Sequence, residues 1–147
     1  MNWLNGTRRL TVSLLLVLLT SGLQAETPVS PDARKLLDGW AKVAQKDNPK
    51  FQGFSAEEGR RIYYAERVHS EGDSRSCATC HAEDPAQSGR NASTGKVIDP
   101  LSPAVNPERF TKAKDINKWF KRNCKWVLER ECTAEEKGHF TTYMLSL

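Results

Sequence analysis

Cys77-Ala78-Thr79-Cys80-His81 places two thiols and an imidazole within five residues. Their spacing decides what they can do. Two intervening residues let both sulfurs reach one edge of a porphyrin, and a histidine directly after the second cysteine turns beneath the ring. Cys-x-x-Cys-His is the attachment signature of a c-type haem: the thiols add to the vinyl groups and the imidazole supplies a ligand to the iron. Two other chemistries use paired cysteines. A redox dithiol has no need of His81 and usually sits in a βαβ pattern, which this sequence does not show. A zinc site needs a second ligand pair, and no second Cys-x-x-Cys or His pair occurs. The motif therefore predicts one covalent haem on Cys77 and Cys80, with His81 as proximal ligand.

What such a haem does depends on the group opposite His81. A methionine or a second histidine closes the iron; an empty or weakly held position admits small molecules. Met144 is the one methionine after the motif. It falls in an apolar stripe near the chain's last residue and reads as core packing. His139 and His69 read as surface histidines, His139 because it lies off the Phe140–Tyr143 line and His69 because its loop is polar. Asn123 is different. It continues the stripe of Ile116, Trp119 and Phe120, so it faces inward, and a buried amide without a partner costs about 1–3 kcal/mol. A haem iron would satisfy it. So would a role as a C-terminal helix cap, where asparagine is favoured.

Compartment follows from the N-terminus and the remaining cysteines. Arg8 and Arg9 precede an apolar run, Leu10 to Leu19, that is too short to span a bilayer, and Ala25 ends a plausible cleavage site. Residues 1–25 are expected to be a signal peptide, with an uncleaved anchor as the alternative, and residues 26–147 one domain. In an oxidising compartment Cys124 and Cys132 read as a disulfide; a thiolate from Cys124 on the iron is the alternative. The nine-residue loop they would close is worth about 2.5 kcal/mol in chain entropy. Without residues 1–25 the chain has 20 Lys and Arg against 18 Asp and Glu, a net +2. Two haem propionates would bring that close to neutral. The charges look scattered, with no basic helix face, so nucleic acid is not an expected partner.

The elements that must position these groups read as helical. Val29 to Ala44 carries Ser30 as a cap, Pro31 at the first position and a Leu36, Leu37, Trp40, Ala44 stripe. Ser55 to about Arg67 begins with capping-box spacing to Glu58, and Gly59 and Tyr63 share a face able to meet a crossing helix. Thr111 to Asn123 is a third helix, capped by Thr111. The last starts after Thr133, with Glu136 completing a capping box and Phe140, Tyr143, Met144 and Leu147 as its buried stripe. Pro85 to Pro107 is a long loop that would cover a haem edge through Ile98, Leu101 and Val105. No strand is evident. The expected fold is all-α, a small class I-like cytochrome c domain of about four helices around one haem.

Asn123-Cys124, Arg130-Glu131-Cys132-Thr133 and Glu136-Lys137 resemble the sphaeroides haem protein family of oxygen-binding cytochromes c. So do Thr94-Gly95-Lys96, Pro100-Leu101-Ser102-Pro103 and Asn106-Pro107-Glu108-Arg109-Phe110. The likeness runs from Ser30-Pro31 to the last helix. It departs in the loop before the haem motif and at Lys125-Trp126. The resemblance implies Asn123 as distal ligand through its amide oxygen, a Cys124–Cys132 disulfide beside it, and a membrane-bound or periplasmic cytochrome as electron donor.

The function expected is that of a periplasmic monohaem cytochrome whose distal asparagine leaves on reduction, so that O2, NO or CO can bind. An ordinary electron carrier with Met144 or His139 as sixth ligand, and a haem enzyme acting on a small nitrogen or oxygen species, are the alternatives. No distal acid/base pair is visible to support turnover.

Overall fold

A computed structural model describes residues 28–147; the signal peptide expected over residues 1–25 lies outside them. The elements run α1 (Pro31–Asp47), α2 (Ala56–Tyr64), β1 (Arg67–Val68), β2 (Ser74–Arg75), α3 (Ala78–His81), β3 (Gly89–Arg90), β4 (Val97–Ile98), α4 (Ala113–Leu128) and α5 (Ala134–Leu145). The fold is all-α. Its strands are two antiparallel ladders, β1 on β2 and β3 on β4, each with two residue pairs. Ladders this short leave no alternating pattern to read, because their turns and not their side chains set the pairing. Gly72 (φ 92°) and Gly95 (φ 69°) supply the left-handed residues.

Local chemistry explains where the helices start and stop. The Ser30 hydroxyl oxygen accepts from the Ala33 N–H at 3.1 Å and donates to the Phe110 carbonyl at 2.6 Å, so it both caps α1 and ties it to the approach to α4. α1 runs past Ala44 to Asp47. It ends there because Pro49 disfavours the helical region for Asn48, which is extended. α2 stops at Tyr64, short of Arg67, because Arg67 is taken into β1.

α4 differs most from expectation. It starts at Ala113, two residues after Thr111, whose hydroxyl donates instead to the Glu108 carbonyl. The carboxylate of Asp32 in α1 accepts from the Ala113 N–H at 2.8 Å, so a cap comes from another helix. It also runs five residues past Asn123 and ends on Glu129 in the left-handed conformation (φ 57°). Asn123 is therefore not a helix cap.

α5 is the central element, packed on α2 and α1. A β-carbon on Gly59 would lie 2.0 Å from the His139 carbonyl oxygen, so only glycine allows this α2–α5 approach. The core has two parts. Tyr63, Leu101, Tyr143 and Met144 form one, bordered by Cys77, Ala78, Phe110 and Phe140. Ala33, Trp40 and Ile116 form the other, bordered by Phe54, Phe110 and Phe120. Of the loop's expected contacts, Leu101 is buried and Ile98 half-buried, but Val105 is 56% exposed. Backbone bonds from Leu101 and Ser102 to the Pro85 carbonyl draw the loop in at Leu101 and leave Val105 on its outer side.

Candidate haem-binding site

The Cys77–His81 segment folds as one short helical turn. Ser76 and Thr79 bracket it: the Ser76 N–H donates to the Thr79 hydroxyl at 2.9 Å, and the Thr79 N–H to the Ser76 hydroxyl at 3.2 Å. The His81 N–H closes the turn on the Cys77 carbonyl at 3.0 Å. Both thiols are free. Burial pushes the Cys77 thiol up to about 12, and the neighbouring Cys80 adds to the shift.

Two tyrosines of α2 fix the chain just beyond. The Tyr63 hydroxyl lies 3.0 Å from the His81 carbonyl and 2.6 Å from that of Ala82. The Tyr64 hydroxyl donates to the Glu83 carbonyl at 2.6 Å. Ala82 lies between them at φ 68°, a backbone region that residues with side chains adopt only where surroundings hold them. β3 seals the other side: a β-carbon on Gly89 would fall 2.0 Å from the Cys80 carbonyl oxygen.

Burial, with a lesser effect from the Arg109 charge, pushes His81 down to about 4. Its imidazole is neutral near pH 7 and keeps a lone pair. Its Nδ1 is buried with no hydrogen-bond partner. Arg109 is itself held in place by the carbonyls of Pro100 (2.8 Å) and Asp99 (2.6 Å).

Asn123 lies in the interior of α4 on the side of the buried Ile116 and Val127, and is half-buried. Its amide makes no hydrogen bond to another described residue. Next to it, Cys124 is disulfide-bonded to Cys132, with Cα atoms 5.5 Å apart. Trp119 does not share the inward face expected for it. It is 45% exposed, beneath the Lys118 and Arg122 cations, because the buried stripe runs through Ile116, Phe120 and Val127.

No hydrogen bond or ion pair joins Asn123 to the Cys77–His81 segment among the described residues. Two other links connect α4 to that segment. Edge-on aromatic contacts run from Phe120 to Phe140 (5.5 Å), and Phe140 lies 6.2 Å from Tyr63. The second link is polar. Arg75, two residues before Cys77, is buried, bonds Asp73 (2.6 Å) and Glu71, donates to the Trp126 carbonyl (3.2 Å) and lies 4.5 Å over the Trp126 ring. One turn further on, Glu129 accepts from the Ser70 N–H at 3.0 Å and faces His69 Nε2 at 3.4 Å. The β1–β2 hairpin thus fastens the end of α4. Arg75 and Tyr63 carry this arrangement and were not legible as site residues: an arginine in a polar loop and a tyrosine on a helix face have no signature of their own.

The alternative ligands have other duties. Met144 is fully buried in one cluster with Tyr63, Leu101 and Tyr143. His139 is not a surface residue. It is 8% exposed, its Nδ1 accepts from the Ser55 N–H at 2.8 Å, and its Nε2 faces Glu135 at 3.6 Å. The tight α2–α5 crossing at Gly59 encloses it. His69 lies under Glu71, Asp73 and Glu129, with only 10% of its side chain exposed, so it too is not free on the surface.

The residues present fit a c-type haem. Two unbridged thiols lie one turn apart on one edge of α3, followed by a neutral imidazole with an orphaned nitrogen. An open cavity of about 350 Å³ lies beside Cys80, lined also by Thr79, Ala82, Ser88, Gly89, Arg90 and Val97; Cys77, His81 and Asn123 do not line it.

Comparisons with known proteins agree. A domain of unknown function, DUF1924, matches residues 49–144. Cytochrome c'' of Methylophilus methylotrophus is 33% identical over 115 residues, 78% of this chain and 80% of its own. The cytochrome c-type protein SHP of Cereibacter sphaeroides is 38% identical over 89 residues, 60% of this chain and 68% of its own. The crystal structure of oxidised cytochrome c'' superposes with a TM-score of 0.72 at 33% identity, over 78% of this chain and 94% of that one. Oxidised SHP, described as an oxygen-binding cytochrome c, superposes with a TM-score of 0.67 at 33% identity, over 76% and 94%.

Proposed function

The chain belongs to the c-type cytochrome family of the sphaeroides haem protein and cytochrome c'', and from that premise we propose an exported electron carrier that also binds a diatomic gas when reduced. Cys77 and Cys80 would hold its single haem c, and His81 and Asn123 would supply ligands to the iron, Asn123 being the one that would yield to O2, NO or CO. When bound, the haem supplies a one-electron couple and one exchangeable coordination position.

The chain's own groups suit this division. His81 presents a neutral imidazole, the form that donates a lone pair, on a turn fixed by Tyr63 and Tyr64. Asn123 presents an amide oxygen, a hard neutral donor that suits ferric iron better than ferrous. Reduction of a bound haem would therefore weaken the hold of Asn123. Its helix is tethered at Cys124 by the disulfide, which limits how far the side chain can swing away. The pairing of a disulfide with haem-attachment cysteines supports a compartment outside the cytoplasm, and a membrane-bound or periplasmic cytochrome is the electron donor in this reading.

The observation that carries the proposal is the Asn123 amide, half-buried within α4 and without a hydrogen bond to any described residue. No described residue engages that amide, which leaves it free to take a ligand on the inward side of α4. That SHP is described as oxygen-binding adds support, as a property of that relative. The test is the absorption spectrum of the dithionite-reduced holoprotein before and after CO. A high-spin reduced spectrum that shifts promptly with CO is expected, as is a changed ferric spectrum in Asn123→Ala but not in Met144→Leu. A sharp low-spin reduced spectrum indifferent to CO would exclude Asn123 and leave a closed electron carrier.

A further inference from the structure

The outer face of α4 is basic. Lys114, Lys118, Lys121, Arg122 and Lys125 fall at i, i+4, i+7, i+8 and i+11, one stripe directly opposite the buried Ile116, Phe120 and Val127. All five are exposed, and none forms an ion pair with a described carboxylate. The expectation of scattered charge fails here: Lys114, Lys118, Lys121 and Arg122 already share one face of the helix expected over Thr111 to Asn123, and the longer α4 adds Lys125. Outside α4, Arg61 pairs with Glu57 and Glu58, Arg75 with Asp73 and Glu71, and Arg130 with Glu136.

Two features separate this stripe from an ordinary solvated face. Lys114–Lys118, Lys118–Arg122 and Lys121–Lys125 are like charges four apart, which weakens a helix, and no described carboxylate pairs with them. The charge is also polarised. α4 holds five cations and one carboxylate, Asp115, for a net +4; residues 26–147 total +2, so everything else sums to −2. Haem propionates would deepen that contrast. A molecule with such a dipole is turned by an anionic partner so that α4 arrives first.

We propose that the outer face of α4 is the docking surface for an acidic patch on the protein that exchanges electrons with this cytochrome. The proposal rests on Asn123 as the distal ligand. A helix with its side chains is about 10–12 Å across, so a partner seated on the lysines is one helix diameter from the group that Asn123 holds. The half-exposed Trp119, flanked by Lys118 and Arg122, adds an aromatic contact at the edge of the stripe. Electrostatic docking of this kind sets the rate of encounter and fades as salt screens it.

The test uses the holoprotein and two redox probes, ferrous EDTA, an anion, and hexaammineruthenium(II), a cation. In K114E/K118E/K121E/K125E, electron exchange with ferrous EDTA should slow about tenfold at low salt, exchange with the ruthenium complex should quicken, and both differences should vanish at high salt. A graded set of Lys→Gln changes at the same positions should give intermediate rates. Rates unchanged with both probes would place electron entry elsewhere and overturn the proposal. Binding of the wild type, but not the variant, to phosphatidylglycerol vesicles would reassign the face to lipid and also overturn it. The ferric spectrum should be the same in variant and wild type. The Asn123 reading is judged separately, by Asn123→Ala.

Discussion

The two sides of the candidate site are built by opposite means. The Cys77–His81 side is locked from within. Tyr63 and Tyr64 hold three consecutive carbonyls, β3 closes against Cys80, and α2 meets α5 at a glycine contact with no spare space. The α4 side is held from outside. Its principal helix contact is with α1, and its C-terminal half depends on four fastenings: the Cys124–Cys132 bridge, the Arg75 clamp on Trp126, the Ser70 bond to Glu129, and the Arg130–Glu136 pair across the turn to α5. A permanent ligand calls for the first arrangement and an exchangeable one for the second. Few packed contacts and a tethered end favour local motion without loss of the fold.

Loosening the fastenings one at a time tests that contrast. The bridge should matter most. Cys124→Ser with Cys132→Ser should lower stability by about 2.5 kcal/mol in denaturant titration. It should also change CO association and dissociation rates, while the proximal side keeps its covalent haem. Unaltered rates would show that the α4 side is as fixed as the other.

The Arg75 clamp should come next. Arg75→Ala strips a buried guanidinium from Asp73, Glu71 and the Trp126 carbonyl and should cost about 2 kcal/mol. Arg75→Lys should recover only part, since a point charge cannot serve two carboxylates and a carbonyl at once. If the clamp positions α4, the alanine variant shifts CO rates in the same direction as loss of the bridge. If CO rates stay at the wild-type value, the hairpin only stabilises.

The smallest effect belongs to Glu136, which caps α5 and pairs with Arg130 (2.7 Å) inside the disulfide loop. Glu136→Gln should cost about 1 kcal/mol near pH 7. The Arg130 hydrogen bond is the main cause holding the Glu136 carboxyl below its usual value, so its stabilisation is present above pH 4.5 and is lost as pH falls through the lowered folded value. Wild type and variant should converge in acid titrations. A gap that persists at low pH would mean that the cap does not depend on the charge.

The sequence by itself determined the parts whose physics is local. The haem motif, the Ser30, Ser55 and Thr133 caps, the all-α class and the Gly59–Tyr63 crossing face all depend on residues a turn or less apart, and the structure has them where the spacing put them. Only the tertiary structure decided the rest. The extent of α4 was set by a cap from Asp32 in another helix and a left-handed stop at Glu129. That extent removed the capping role from Asn123, turned Trp119 outward and added Lys125 to the basic stripe. His139 was buried by a crossing helix, and Arg75 found its partners 51 residues away at Trp126. Such contacts depend on where distant segments meet, and no pattern confined to a few residues records that.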